Sequence, residues 1–139
     1  MSASMGGFGY QNGGSAGGVV ATNIKVVNVT ADATLGSGDS GNLYTNDGAA
    51  GQVILTLPPA VAIPVSGEAL VFGFSVVTAQ NLRIQVGNAA DQIREGALQS
   101  IVNGYIESAV PGAIIWMVNT KANEWQCFGW SVPYAVLTS

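Results

Sequence analysis

From Val19 onward, large apolar residues recur at every second position in short runs, and Gly, Pro, Asn or Asp ends each run. A period of two puts alternate side chains on opposite faces of an extended strand, whereas a helix needs apolar groups three and four residues apart. Leu70, Phe72, Phe74 and Val76 share one face, with Val71, Gly73, Ser75 and Val77 on the other. Val53, Leu55 and Leu57 alternate with Ile54 and Thr56 until Pro58 and Pro59, which cannot donate to a ladder, stop the run. Leu82, Ile84 and Val86 alternate with Arg83 and Gln85, and Ile114, Trp116 and Val118 oppose Ile115 and Met117, a strand apolar enough to place Trp116 in the core. Further strands are expected at 19–30, 42–46, 104–109, 124–130 and 133–137. Between Ala89 and Ser100 a helical turn or two competes, but Gly96 interrupts it and Ile93 lacks apolar partners at i+4, so the stretch reads as loop and short strand. Closely spaced strands without a helix predict an all-β fold, a compact antiparallel β-sandwich or barrel of jelly-roll or β-tulip type. No repeat of fixed period is visible, which argues against a solenoid.

Residues 1–18 form a segment of different character. Seven glycines leave little side chain to bury and much backbone entropy to lose, so a flexible Gly-rich N-terminal arm is expected before a single all-β domain at 19–139. Met5, Phe8 and Tyr10 are large apolar groups set in that glycine, suited to anchoring the arm in the pockets of a neighbour. The 139 residues, 48% of them hydrophobic, suffice for a core without metals or disulfides.

Only 9% of the residues are charged, against about 25% in an ordinary soluble domain. That deficit predicts that much nominal surface is covered in an assembly. Lys25, Arg83, Arg94 and Lys121 are too few and too scattered to neutralise several phosphates at once, which excludes a nucleic-acid footprint. No run approaches the roughly eighteen apolar residues of a membrane helix, and the N-terminus lacks a basic region followed by an apolar one, so neither membrane nor secretion is expected. Cys127 stands alone among aromatics and reads as a small buried hydrophobe.

Histidine is absent, which removes the commonest general base and the commonest zinc ligand. Gly38-Asp39-Ser40-Gly41 has the look of a serine-protease nucleophile, but a triad needs an imidazole, and Ser40 reads as a turn residue. Asp32, Asp39, Asp47, Glu68, Asp91, Glu95, Glu107 and Glu124 sit mainly in or beside predicted turns, with no spacing that pairs two of them as acid and base. The expectation is a non-enzymatic protein with no cofactor and no metal. The aromatics offer one further reading, a sugar platform, since flat rings stack on sugar faces; Trp125 and Trp130 are its candidates, on opposite faces of one strand.

Read together, residues 31–60 carry the run Asp39-Ser40-Gly41, Tyr44-Thr45-Asn46, Gly48-Ala49, Gly51, Val53 and Thr56-Leu57-Pro58. The Leu70–Val77 strand follows, then Ala79 and Asn81 to Gln85, the Ala89–Arg94 turn and Gly104-Tyr105-Ile106 with Ser108. This order resembles a β-rich module of tailed-bacteriophage virion structural proteins, over most of residues 31–130. The resemblance implies a virion component made in the host cytoplasm: a capsid decoration (cement) protein on the capsid exterior, with the major capsid protein and its own copies as partners, commonly in a homotrimer. The alternative is a head or tail fibre or spike module with a host-glycan-binding surface. The family supplies no catalytic residues. The arm lies outside the matched region, and Met5, Phe8 and Tyr10 are expected to contact the capsid or a neighbouring subunit.

Overall fold

A computed structural model describes residues 23–60, 68–129 and 134–136. Twelve strands make two sheets, with no α-helix among the described residues. The strands are β1 (Val26–Asn28), β2 (Ala33–Thr34), β3 (Leu43–Thr45), β4 (Val53–Thr56), β5 (Val71–Ser75), β6 (Leu82–Gln85), β7 (Gln92–Glu95), β8 (Leu98–Gln99), β9 (Tyr105–Ser108), β10 (Ile114–Lys121), β11 (Glu124–Phe128) and β12 (Ala135–Val136). The larger sheet has seven strands in the order β1-β3-β5-β10-β11-β7-β8, and the smaller has five in the order β12-β9-β6-β4-β2.

The all-β sandwich matches the period-two expectation, but its pairing is mixed rather than antiparallel. Five of the ten pairings among the described residues are parallel. The reason lies in the path of the chain. From β1 to β6 each successive strand crosses to the other sheet, so β1, β3 and β5 stack in parallel on one side while β2, β4 and β6 do so on the other. Winding of this kind is what the missing repeat argued against. The laps differ in length: Val26 aligns with Leu43, 17 residues on, and Leu43 with Gly73, 30 residues on, so no constant period marks them. After β6 the course changes. Strand β9 returns antiparallel to β6 and β10 antiparallel to β5, closing one side of the winding, and β11 then follows β10 through a tight turn at Asn123, held at a φ of 65°.

The core fills the space between the sheets. Phe72 and Phe74 of β5, Ile115 and Met117 of β10, and Trp125 and Cys127 of β11 face Val53 and Leu55 of β4, Leu82 and Ile84 of β6, and Ile106 of β9. Tyr44 stacks on Phe74 with ring centroids 6.0 Å apart, and its hydroxyl accepts from Asn42 Nδ2. Alternate burial is clearest in β4, where Val53 and Leu55 go in while Ile54 and Thr56 stay at the outer face.

Polar side chains fasten the turns. Asn46 is fully buried after β3; its Nδ2 donates to the carbonyls of Thr78 and Gln80, each at 3.1 Å, and its Oδ1 accepts from the amides of Val77 and Thr78. One amide thus ties the β3–β4 turn to the β5–β6 turn one lap later. Asp91, also fully buried, accepts from the Ala60 amide at 2.8 Å through Oδ2 and from Asn123 Nδ2 at 3.0 Å through Oδ1. Gly87 sits where a Cβ would come within 2.2 Å of the Leu57 carbonyl oxygen, so only glycine lets the end of β6 approach the end of β4.

Candidate interaction surface

The outer faces of the two sheets differ in kind. On the five-stranded sheet, Arg83 Nε donates to Glu107 Oε1 at 2.8 Å, its guanidinium lies 3.8 Å from the centre of the Tyr105 ring, and Asn81 Nδ2 reaches both Gln52 Oε1 and Glu107 Oε1. Burial pushes the Glu107 carboxyl upward, but the hydrogen bonds from Asn81 and Arg83 and the Arg83 charge outweigh it and hold the group below its ordinary value. A carboxyl with a lowered folded pKa adds stability above its unfolded pKa and loses it as pH falls through the folded one. Glu107→Gln is therefore expected to cost about 0.5–1 kcal/mol near neutral pH, with the gap from wild type closing as urea melts are repeated at increasingly acid pH.

The outer face of the seven-stranded sheet carries an apolar row, flanked by Asn28, Thr45 and Ser75 on one side and by Gln126 and Arg94 on the other. The register places Val26 of β1 beside Leu43 of β3, Leu43 beside Gly73 of β5, Gly73 beside Trp116 of β10, and Trp116 beside Phe128 of β11. Tyr44, Phe72, Phe74, Ile115, Met117 and Cys127 point inward, so their strand neighbours in this row point out. The row crosses five strands, about 19 Å at the usual spacing of about 4.8 Å. Val71 and Val118 pair beside it on the same face, and Ile114 lies on its other flank opposite Ser75. Val26 is 61% exposed and Phe128 43%. Other exposed apolar residues, Ile24, Val77, Leu98, Ile101, Val102 and Val110, stand before β1, in turns or on the short β8.

Gly73 explains the position of Trp116. A Cβ at residue 73 would come within 2.7–2.8 Å of three atoms around the fusion of the indole rings, so the ring turns its face onto the bare backbone of β5. Phe128 lies alongside, centroids 6.5 Å apart and planes 30° from each other. Gly73→Ala should fold but swing Trp116 off the sheet, read as a red shift of its fluorescence and a raised solvent reactivity of the indole.

The structure corrects the aromatic assignment made from the sequence. Trp125, a platform candidate, is fully buried and packs on Phe72 with centroids 5.7 Å apart, while Trp116, assigned to the core, lies at the outer face. Strand β10 is apolar on both faces, so alternation alone could not tell which face is inside. Trp130, Met5, Phe8 and Tyr10 lie outside the described residues.

Several of the remaining sequence candidates have structural partners. Ser40 Oγ accepts from the Val71 amide at 3.0 Å, Asp39 Oδ2 from the Gly36 amide at 2.8 Å and Asp32 Oδ1 from the Ile54 amide at 2.8 Å. Arg94 Nε and Lys121 Nζ both reach the Glu124 carboxylate. Burial raises the Cys127 thiol far above its ordinary value, with the nearby Glu95 charge adding to the shift, and so keeps it a protonated, unreactive hydrophobe. Among the described residues no three His, Cys, Asp or Glu side chains cluster so as to hold a metal, and no helix is long and apolar enough to cross a membrane. A cavity of about 780 Å³ beyond the ends of β2, β4 and β6, lined by Leu35, Leu57, Pro58, Pro59 and Leu70, presents no titratable side chain. No protein-family model matches the chain, and no curated protein is significantly similar to it.

Proposed function

We propose that the protein is a non-enzymatic bacteriophage capsid decoration protein, which attaches to the outer capsid surface as a homotrimer and stabilises contacts between major capsid subunits. The observation that carries the attachment is the contrast between the faces: a polar, hydrogen-bonded five-stranded sheet for solvent and a continuous apolar row on the seven-stranded sheet for a partner. The motif resemblance over residues 31–130 supplies the phage setting. Its Asp, Ser and Asn positions hold turns together: Asp32, Asp91, Ser40 and Asn46 all accept from backbone amides.

Stabilisation would be mass action. A ligand that binds the assembled lattice and not the free subunit adds its binding free energy to the assembled state, and three linked copies multiply weak contacts through effective concentration. A fibre or spike role with a glycan surface is less favoured, because Trp116 and Phe128 stand among Val26, Leu43, Val71 and Val118. A sugar site surrounds its rings with polar groups that fix the hydroxyls.

Quantitative mass spectrometry of purified particles tests the reading. The expected result is a copy number of the same order as the major capsid protein. A few copies per particle would overturn the decoration reading. Trp116→Ser with Phe128→Ser should lower occupancy at least tenfold while leaving the urea midpoint of the free protein nearly unchanged.

A further inference from the structure

We infer that β1 is a self-pairing edge: two copies of the chain join antiparallel through β1 and the residues just before it, about a two-fold axis at Val26, and so continue the seven-stranded sheet from one subunit into the next. The contact joins two chains across a two-fold axis, so it neither rests on the decoration reading nor repeats the homotrimer.

The backbone of β1 gives the direction. The Leu43 amide donates to the Lys25 carbonyl at 2.9 Å, and the Val29 amide to the Thr45 carbonyl at 2.8 Å. Within a ladder only alternate residues of a strand turn their N–H and C=O groups to a given neighbour. Lys25, Val27 and Val29 therefore face β3, and the groups of Ile24, Val26 and Asn28 point off the sheet. Strand β1 ends the seven-stranded sheet, and no described strand lies beyond it. The other three outer strands, β2, β8 and β12, are two residues long, whereas the β1 ladder runs from Lys25 to Val29. Proteins blunt such edges with proline, bulges or charge. Strand β1 has no proline and pairs without a bulge, and Ile24 and Val26 are both exposed.

One register suits a second copy. An axis at Val26 places the two Val26 residues opposite each other and Ile24 of each copy opposite Asn28 of the other. These are the residues whose backbone groups point outward, and in antiparallel pairing such residues exchange both bonds, about six across the junction. On the outer face the Val26 ends of the two apolar rows then meet. On the other face Lys25 of each copy comes opposite Val27 of the other, so the two lysines stay apart. Lys25 is the only charge between Asn23 and Val29, and among the described residues it has no ion-pair partner. The register brings it toward the other copy's Asp47 turn, whose carbonyl accepts from Asn28 Nδ2 at 2.8 Å and whose carboxylate is likewise without an ion-pair partner among the described residues. Each copy thus offers its twin both the free backbone and the opposite charge.

The test uses the full chain. Val26→Cys should give a disulfide-linked dimer under a mild copper oxidant, because the paired Cα atoms would stand about 5.5 Å apart. Cys127 is buried and its thiol stays protonated, so the new thiol is the one that reacts. Ile24→Cys alone should not cross-link, but mixed with Asn28→Cys chains it should give the mixed dimer. In sedimentation of the untreated protein, even-numbered species are expected. Val26→Pro deletes an outward N–H and none that β3 uses, so it should weaken association at least tenfold while the urea midpoint is retained. Lys25→Glu should weaken association several-fold, and adding Asp47→Lys should restore it. Cross-linking at Ile24 alone as strong as at Val26, association unmoved by Val26→Pro, or a monomer at millimolar concentration would overturn the inference. A trimer without Val26 cross-links would also overturn it and leave the homotrimer standing. Cross-linked dimers would support the pairing and remove the homotrimer, and cross-linked hexamers would support both.

Discussion

Asn46→Ala is expected to destabilise the protein by roughly 4 kcal/mol, measured as a fall in the urea midpoint at neutral pH. The alanine removes one buried amide and strands three backbone groups, the Gln80 carbonyl and the amides of Val77 and Thr78, while the Thr78 carbonyl keeps only the Gln80 amide. Each buried group left without a partner costs about 1–3 kcal/mol, and water entering the opened turn recovers part of it. Against the total of about 5–15 kcal/mol that holds a typical domain, such a loss leaves a marginal fold. Asn46→Asp separates donation from acceptance. Its carboxylate still accepts from Val77 and Thr78 but faces two carbonyls that it can no longer serve. Those carbonyls favour the protonated acid, so the folded pKa of Asp at 46 would lie above the unfolded one, and the variant should lose stability as pH rises through the acid range. Wild type carries no such dependence from this position. A variant with no pH dependence and a loss below about 1 kcal/mol would show that the turn-to-turn tie is not what holds the laps together.

Trp125→Ala should cost about 3–5 kcal/mol, the usual range for emptying an aromatic site in a core, and should leave a largely unfolded chain at physiological temperature. The indole is fully buried and packs on Phe72 between the sheets. Its Nε1–H is buried without a hydrogen-bond partner, so Trp125→Phe gives up volume but also removes a stranded donor, and its cost should be less than half that of alanine. If the alanine variant instead melted like wild type, Trp125 would have to lie on the surface, as the reading of the sequence as a sugar platform had it. The same logic applies with opposite sign to Glu95, whose Oε2 is buried and unpartnered and whose carboxyl is raised by that burial. A raised carboxyl favours the fold below its unfolded pKa and loses that advantage as pH rises through the folded one. Glu95→Gln should therefore gain on wild type as pH rises from acid to neutral, by a few tenths of a kcal/mol at about the scale of a partly screened surface charge.

Much of the strand content was legible because one face of each strand is buried and the other is not. Val53, Leu55, Leu82, Ile84, Phe72 and Phe74 all occupy the inner positions that alternation marks. Legibility failed where that contrast is missing. Strand β10 is apolar on both sides, which hid the outward Trp116, and β2 is two residues long, too short for any period. Parallel winding leaves no local trace either, since the partners of β1 and β2 lie a variable lap away. Asn46 and Asp91 look like ordinary turn residues until the structure shows which distant backbone groups they reach. The uncovered row was invisible for a related reason: Val26, Leu43, Gly73, Trp116 and Phe128 are spread over a hundred residues and meet only across the sheet.

The winding also fixes the tempo at which the chain can acquire its structure. No strand among the first six pairs with its immediate successor, so no early hairpin is on offer, and the first ladder between β1 and β3 closes only after an intervening strand has been laid in the opposite sheet. Loop closure must be met before each ladder returns anything. Chains dominated by such distant pairings fold in milliseconds to seconds rather than microseconds. The β10–β11 hairpin, joined by a short turn and pairing next to β5, is the one large local unit among the described strands. A nucleus formed there would recruit the earlier laps backward toward β1, making the earliest of the described strands to emerge from synthesis the last to be secured.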